Sequence, residues 1–203
     1  LSKKQVLASN YHYFEFDTEE LFTYKPGQYI SVKVAPNRIN SYSIAGNQGE
    51  HKFFLLVDTT PGGPGSKFFE NANVGDAIAF MGPFGTFTLK NDDGAGRLLF
   101  LGTGSGCSPL RSMLEAALKN PEIKVPIHLY FGLRYSNDIF WKDYFEKLAD
   151  EHPNFKFHLV LSKPDETWHG QAGHITDILE KEIDNASDCS VYLCGNPAMI
   201  EEA

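Results

Sequence analysis

Long apolar runs are missing from this chain. No stretch approaches the roughly 20 consecutive apolar residues that cross a bilayer, and the start carries no signal-like pattern. A helical membrane span is therefore not expected. Positive charge is also scarce: 18 Lys and Arg stand against 26 Asp and Glu, a net charge of −8. Phosphate backbones and anionic lipid recruit Lys and Arg, so the charge argues against a nucleic-acid or anionic-membrane binder, while it leaves open a small anion held by backbone N–H groups. Cysteine is sparse and odd in number, Cys107, Cys189 and Cys194, with no metal-type spacing. That favours free thiols and a reducing, cytoplasmic setting over a disulfide framework. The seven histidines show no pair at ligand spacing along the chain, and no metal is expected. Repeats and low-complexity tracts are absent. The first residue is Leu1 rather than Met, as expected of an excerpt from a longer polypeptide.

What is present is a globular mix, with 42% apolar and 13% aromatic residues over 203 positions. The rhythm changes near "LKNDDGAGRL", residues 89–98. Before it, "HYFEFD", "YISVKV", "SYSIAG", "HKFFLLVD" and "DAIAFMG" read as short strands separated by Pro-Gly and Gly-Gly punctuation, which predicts an antiparallel barrel or sandwich. After it, the apolar runs "RLLFLG", "VPIHLYFG", "FKFHLVLS" and "SVYLCG" alternate with helical patterns in "PLRSMLEAALKN", "DIFWKDYFEKLADE" and "HITDILEKEI". Such alternation predicts a parallel sheet buried on both faces. Two domains follow, residues 1–92 and 97–203.

Two glycine-rich elements are candidates for anion binding. "LGTGSGCSP" follows the first strand of the second half and opens its first helix, where a dinucleotide can approach a helix N-terminus. Taken alone, its spacing fits an ordinary tight turn equally well. "TTPGGPGSKFF" in the first half reads most simply as a hairpin loop, with "SKFFEN" as one possible helical turn. "DIFWKDYF" has helical apolar spacing and is expected in the core or at an interface.

In order along the chain, "NSYS" (40–43), "GPGS" (63–66), "GTGSGCSP" (102–109) and "CGNPAM" (194–199) together resemble the signature elements of the ferredoxin-NADP reductase superfamily. "YKPGQYISV", "MGPFGTF" and "FGLR" are similar to further family phrases, so the resemblance runs over essentially the entire chain. It implies an antiparallel FAD-binding β-barrel followed by a Rossmann-like parallel α/β domain that binds NADPH or NADH.

The same resemblance assigns the site residues. Tyr42 lies against the isoalloxazine and Ser43 hydrogen-bonds near its N5, with Ile44 and Val57 in the same set. Gly63, Gly65 and Ser66 hold the flavin pyrophosphate. The family's arginine, two residues before the tyrosine, is Asn40 here and the nearest arginine is Arg38; an amide does not reproduce the guanidinium fork. Either Arg38 reaches the site or the flavin is held with one charge fewer. Thr103, Gly104, Ser105 and Gly106 cradle the dinucleotide. Cys194 sits beside the nicotinamide C4 with Gly195, Asn196, Pro197 and Met199, a small polarizable side chain that lets two rings approach. Arg134, Ser162 and Lys163 stand where the family reads the ribose 2′ position; Asp165 and Glu166 beside them oppose a 2′-phosphate. The family continues beyond its Cys-Gly element with a helix and a strand, which this sequence does not include.

The implied activity is hydride transfer from NAD(P)H to flavin and electron delivery to a ferredoxin, flavodoxin or oxygenase component. Two other readings stay open: an electron-transfer module of a larger enzyme, and a non-catalytic domain that has lost flavin, for which Asn40 is the argument. The three cysteines cannot themselves hold an iron–sulfur cluster.

Overall fold

The structure is a computed structural model that describes residues 1–47, 49–90, 94–183 and 185–203. Residues 91–93, on which the end of the expected first domain falls, lie outside the described residues. The first half forms an antiparallel sheet in the order β1-β2-β5-β4-β3-β6. Its strands are β1 (Lys3–Ala8), β2 (Tyr11–Asp17), β3 (Tyr29–Ala35), β4 (Arg38–Asn47), β5 (Lys52–Asp58) and β6 (Phe80–Phe84). β1 was not expected: "KKQVLA" is polar and largely exposed, the composition of a charged edge strand. "DAIAFMG" supplies a strand only in its second part.

"SKFFEN" belongs to a full helix, α1 (Pro64–Asn71), so the hairpin-loop reading of this segment is corrected. Pro64 fits the first helical position because its missing N–H has no intrahelical partner there. Phe69 then plugs the barrel, fully buried, with its ring 4.8 Å from those of Phe14 and Tyr42.

The second half is a parallel sheet ordered β10-β9-β8-β7-β11. It contains β7 (Arg97–Thr103), β8 (Ile127–Leu133), β9 (Phe155–Leu161), the two-residue β10 (Gln171–Ala172) and β11 (Cys189–Cys194). Helices α2 (Cys107–Lys119), α3 (Lys142–Glu151), α4 (Ile175–Glu182) and α5 (Pro197–Glu202) complete it. Both faces are covered: Leu98 and Phe100 join the cluster containing α2 and α3 residues, while Leu99 and Leu101 join that of Ile175 and Met199. The unbroken apolar runs follow from this two-sided burial. Trp141 is not helical as expected; it precedes α3 in a left-handed conformation, with φ of 57°. The chain moves outward from β7 through β8 and β9, then returns to β7's other side as β11. The C-terminal end of β7 is thus the switch point where such sheets bind ligands.

β5 explains how the halves join. Phe53, Leu55 and Val57 face the barrel core, whereas Phe54 and Leu56 belong to other clusters, Leu56 to the α2–α3 core. Arg111 of α2 sits in this seam, its side chain only 12% exposed, with the guanidinium 4.5 Å from the Phe54 ring, 4.8 Å from Trp141 and 4.3 Å from Tyr144. It pairs with Glu115 at 3.0 Å and donates to the Ala45 carbonyl at 3.3 Å. The Gly27 N–H donates to Ser112 Oγ at 3.0 Å, a second bond from barrel to α2.

Candidate functional site

Along this seam runs a cleft of about 1210 Å³, bounded by β2, β4 and β5 on one side and the C-terminal ends of β7, β8, β9 and β11 on the other. Of the expected residues it brings together Tyr42, Ser43, Val57, Thr103, Gly104, Ser105, Gly106, Arg134, Ser162, Lys163, Cys194, Gly195, Asn196 and Met199. Arg38, Asn40, Ile44, Gly63, Gly65, Ser66 and Pro197 do not line it. Ile44 is fully buried in the barrel core, and Pro197 is exposed at the first position of α5.

Arg38, Asn40 and Tyr42 alternate along β4 and therefore share one face. Arg38 Nε donates to Asn40 Oδ1 at 2.9 Å, and Asn40 Nδ2 donates to Tyr42 Oη at 3.4 Å. α1 begins directly over this row. A Cβ on Gly65 would collide with Tyr42 Oη and Asn40 Nδ2, so glycine is what allows the helix to close in. Gly63 lines a neighbouring pocket with Lys67. The N-terminus of α1 has no side-chain cap and no acid in its first turn, leaving its N–H groups and positive dipole end available to an anion. Burial raises the Tyr42 hydroxyl above its ordinary pKa, so it remains a neutral phenol.

The second glycine loop interlocks with the end of β11. A Cβ on Gly106 would strike the Cys194 carbonyl oxygen, and one on Gly195 would strike Thr103. Gly195 also has φ of 143°, within the region that favours glycine. The Asn196 N–H donates to Thr103 Oγ1 at 2.7 Å, while Asn196 Oδ1 caps α5 by accepting from Ala198 N–H at 2.9 Å. Gly104 is left-handed, with φ of 54°, and carries Tyr11 of the barrel against it. The Tyr11 hydroxyl is pushed up to a pKa of about 12, chiefly by burial, then by Asp58 and Asp138. The close approaches these glycines permit are therefore between protein backbones as well as toward the cleft. Burial pushes the Cys194 thiol up, which disfavours its thiolate form.

Ser108, absent from the expected set, emerges in the first turn of α2. It lines the cleft, is only 2% exposed, and its buried Oγ has no hydrogen-bond partner among the described residues. A buried hydroxyl without a partner is costly. The first turn of α2 also lacks a side-chain cap and an acid. The signal was present in "GCSP", where a serine follows the glycines into the helix.

Arg134, Ser162 and Lys163 lie side by side because the Ser162 N–H donates to the Leu133 carbonyl at 3.0 Å and the Lys163 N–H to that of Arg134 at 2.8 Å. Asp165 instead accepts from Thr167 N–H at 2.9 Å and Thr167 Oγ1 at 2.5 Å. Neither Asp165 nor Glu166 lines the cleft.

Two histidines without ligand spacing along the chain are brought together by parallel strand pairing. His128 and His158 stand 3.3 Å apart, Nδ1 to Nε2, away from the cleft. All three cysteines are free. No helix among the described residues is long and apolar enough to cross a membrane.

Residues 1–89 match the family model described as the oxidoreductase FAD-binding domain, and residues 100–203 match that of the oxidoreductase NAD-binding domain. The reductase component of the naphthalene 1,2-dioxygenase system of Pseudomonas putida is 35% identical over 181 residues, 89% of this chain and 55% of the relative. The toluate 1,2-dioxygenase electron transfer component, also of Pseudomonas putida, is 32% identical over 178 residues, 87% of this chain and 52% of the relative. The chain spans about half the length of these curated relatives. Among solved structures, the Amycolatopsis cytochrome P450 reductase GcoB superposes with a TM-score of 0.90 at 28% identity, over 98% of this chain and 61% of that one. With its antiparallel barrel, its parallel α/β half and these matches, the chain belongs to the ferredoxin-NADP reductase superfamily as an FAD-binding domain followed by an NAD-binding domain.

Proposed function

We propose that this chain is the flavin- and nicotinamide-binding part of an NAD(P)H-dependent reductase that delivers electrons to a redox protein: a ferredoxin, a flavodoxin or an oxygenase component. The observation that carries the reading is the single cleft in which Tyr42 and Ser43 of the barrel meet Thr103, the uncapped start of α2, and Cys194. In this reading residues 1–92 hold FAD and residues 97–203 hold NADPH or NADH.

The residues fit both groups. Gly65 and the uncapped start of α1 leave a cradle beside Tyr42 suited to a pyrophosphate, and the orphaned Ser108 Oγ at the start of α2 suits another. Bound FAD supplies the ring that takes up two electrons with a hydride and releases them singly. The chain's own part is positioning. Tyr42 offers a flat neutral ring, Ser43 a hydroxyl, and Cys194 a small neutral side chain that leaves room for ring-to-ring approach. Thr103, tied to Asn196, fixes the end of β11 against β7. Arg38, bonded to Asn40, keeps a guanidinium one side chain from the family's arginine position and supports retained flavin binding. Arg134, Ser162 and Lys163 favour a 2′-phosphate, and the placement of Asp165 and Glu166 outside the cleft removes the repulsion that argued for NADH. The free thiols agree with a cytoplasmic, reducing location.

The coverage of its relatives, about half of each, favours a second reading: a module within a larger electron-transfer assembly. Anaerobic titration with NADH and then NADPH, followed in the visible flavin band, tests the main one. Bleaching with preference for NADPH is expected. A colourless protein that takes up no added FAD overturns it.

A further inference from the structure

On the sheet face covered by α4, away from the cleft, His128 of β8, His158 of β9 and Glu182 of α4 converge. One ligand atom from each lies within 4.8 Å of the others. Parallel register creates the pair: Tyr130 stands opposite His158, and His128 lies two residues before Tyr130 on the same face. The rings stack nearly parallel, with Tyr130 and His158 centroids 4.3 Å apart and His128 and His158 centroids 5.4 Å apart. Glu182 closes the group from the last turn of α4, its Oε2 3.6 Å from His158 Nδ1.

We propose that His128, His158 and Glu182 form a binding site for a divalent first-row transition metal ion of the zinc class. The convergence of one ligand atom from each of the three side chains within 4.8 Å carries the argument. His128 Nδ1 and His158 Nε2 share a hydrogen bond of 3.3 Å, close to the roughly 3.4 Å between two nitrogens on a tetrahedral ion, so an ion takes the place of the shared proton once the near-parallel rings turn toward it and toward Glu182. Two imidazoles and a carboxylate are a borderline donor set suited to Zn²⁺, Ni²⁺ or Cu²⁺ rather than Mg²⁺ or Ca²⁺. The carboxylate is also aimed from behind. Tyr130 Oη donates to Glu182 Oε2 at 2.8 Å and Gln171 Nε2 donates to Oε1 at 3.4 Å, the outer support that orients metal ligands. Three protein ligands leave a fourth position for water. Lys156 and Arg97 lie near enough to act on His128, and their charges oppose a dication.

The site has a consequence for α4. Its first residues, Ile175 and Thr176, line the cleft, and its last, Glu182, is a metal ligand, so a bound ion pins the far end of a cleft-lining helix to β8 and β9.

Calorimetric titration of Zn²⁺ into the chelator-treated full-length protein tests the proposal. One ion per chain is expected, and both His158→Gln and Glu182→Gln should weaken binding at least tenfold. Co²⁺ should add the intense visible bands of a four-coordinate ion to the difference spectrum, and the bands should disappear in the same variants. Glu182 is exposed, so Glu182→Gln decides the matter even if the histidine variant unfolds. Absence of binding below millimolar Zn²⁺ overturns the site. So does binding that Glu182→Gln leaves unchanged, which would place the ion on the other histidines or on the thiols.

Discussion

The two glycine-bearing elements of this chain solve the same problem with different materials. In the α/β half, Gly106 is pressed on the backbone carbonyl of Cys194, and Gly195 on the backbone N and O of Thr103 behind its Oγ1. In the barrel half, Gly65 is pressed on side-chain tips, the Tyr42 hydroxyl and the Asn40 amide. Backbone cannot be substituted, so a contact of the first kind fixes glycine at each position and leaves a legible motif. Side chains can be exchanged and their partners can shift, so a contact of the second kind allows Asn40 to stand where the family has arginine while Arg38 bonds to it from two residues away.

The seam between the halves gives the largest test of that contrast. Arg111 is held by Glu115, the Ala45 carbonyl and three aromatic rings, and a mostly buried ion pair broken on one side costs about 3–5 kcal/mol. Arg111→Met should therefore lower unfolding stability by about 3 kcal/mol and split denaturant unfolding into two transitions, read by fluorescence and circular dichroism. A single unshifted transition would mean the halves are joined elsewhere.

Next in size is a matched pair. Gly106→Ala should cost about 2–3 kcal/mol and abolish most reduction by NAD(P)H, whereas Gly65→Ala, which meets flexible side-chain ends, should cost about 1 kcal/mol and only loosen FAD. Equal losses in thermal unfolding would erase the distinction between the two halves.

Ser108 separates binding from folding. Its buried Oγ has no partner among the described residues, so Ser108→Ala should leave the melting temperature unchanged or raise it. The KM for NAD(P)H should nevertheless rise about tenfold, equivalent to about 1.4 kcal/mol of a charge-assisted hydrogen bond. A lower melting temperature with unchanged KM would make the serine structural.

The smallest effect belongs to the exchanged row on β4. Arg38→Ala should weaken FAD binding about fivefold, about 1 kcal/mol, and Asn40→Ala by less, measured by flavin fluorescence on release. A larger loss in Asn40→Ala would show that the amide itself carries the contact.

This contrast also explains what was legible in the sequence. The alternation of "RLLFLG" and its successors with helical patterns identified the parallel sheet because burial on both faces keeps most of those positions apolar, His128, Lys156 and His158 being exceptions toward the strand starts. "HKFFLLVD" identified β5, but nothing in it distinguishes the barrel-facing Phe53, Leu55 and Val57 from Phe54 and Leu56, which face the other half. β1 was hidden because an exposed edge strand needs little apolar patterning. Two turns of α1 were hidden behind glycine and proline, which mark a turn and a helix start equally. Ser108 was overlooked because only its lack of a partner sets it apart. The His128–His158 pair could not be seen at all, since their 30-residue separation becomes 3.3 Å only through β8–β9 register.

Tyr11 belongs to the barrel yet rests on Gly104 of the glycine loop after β7, and Arg111 belongs to the α/β half yet is held by the barrel's Phe54 and Ala45. A chimera that exchanges one domain between this chain and a relative at residues 89–98 would carry each of these residues away from its counterpart. The recombination unit of this protein is therefore the domain together with the far side of its seam, and grafts that move Tyr11, Ala45, Phe54 and Arg111 as one set are those that will keep a single cooperative molecule.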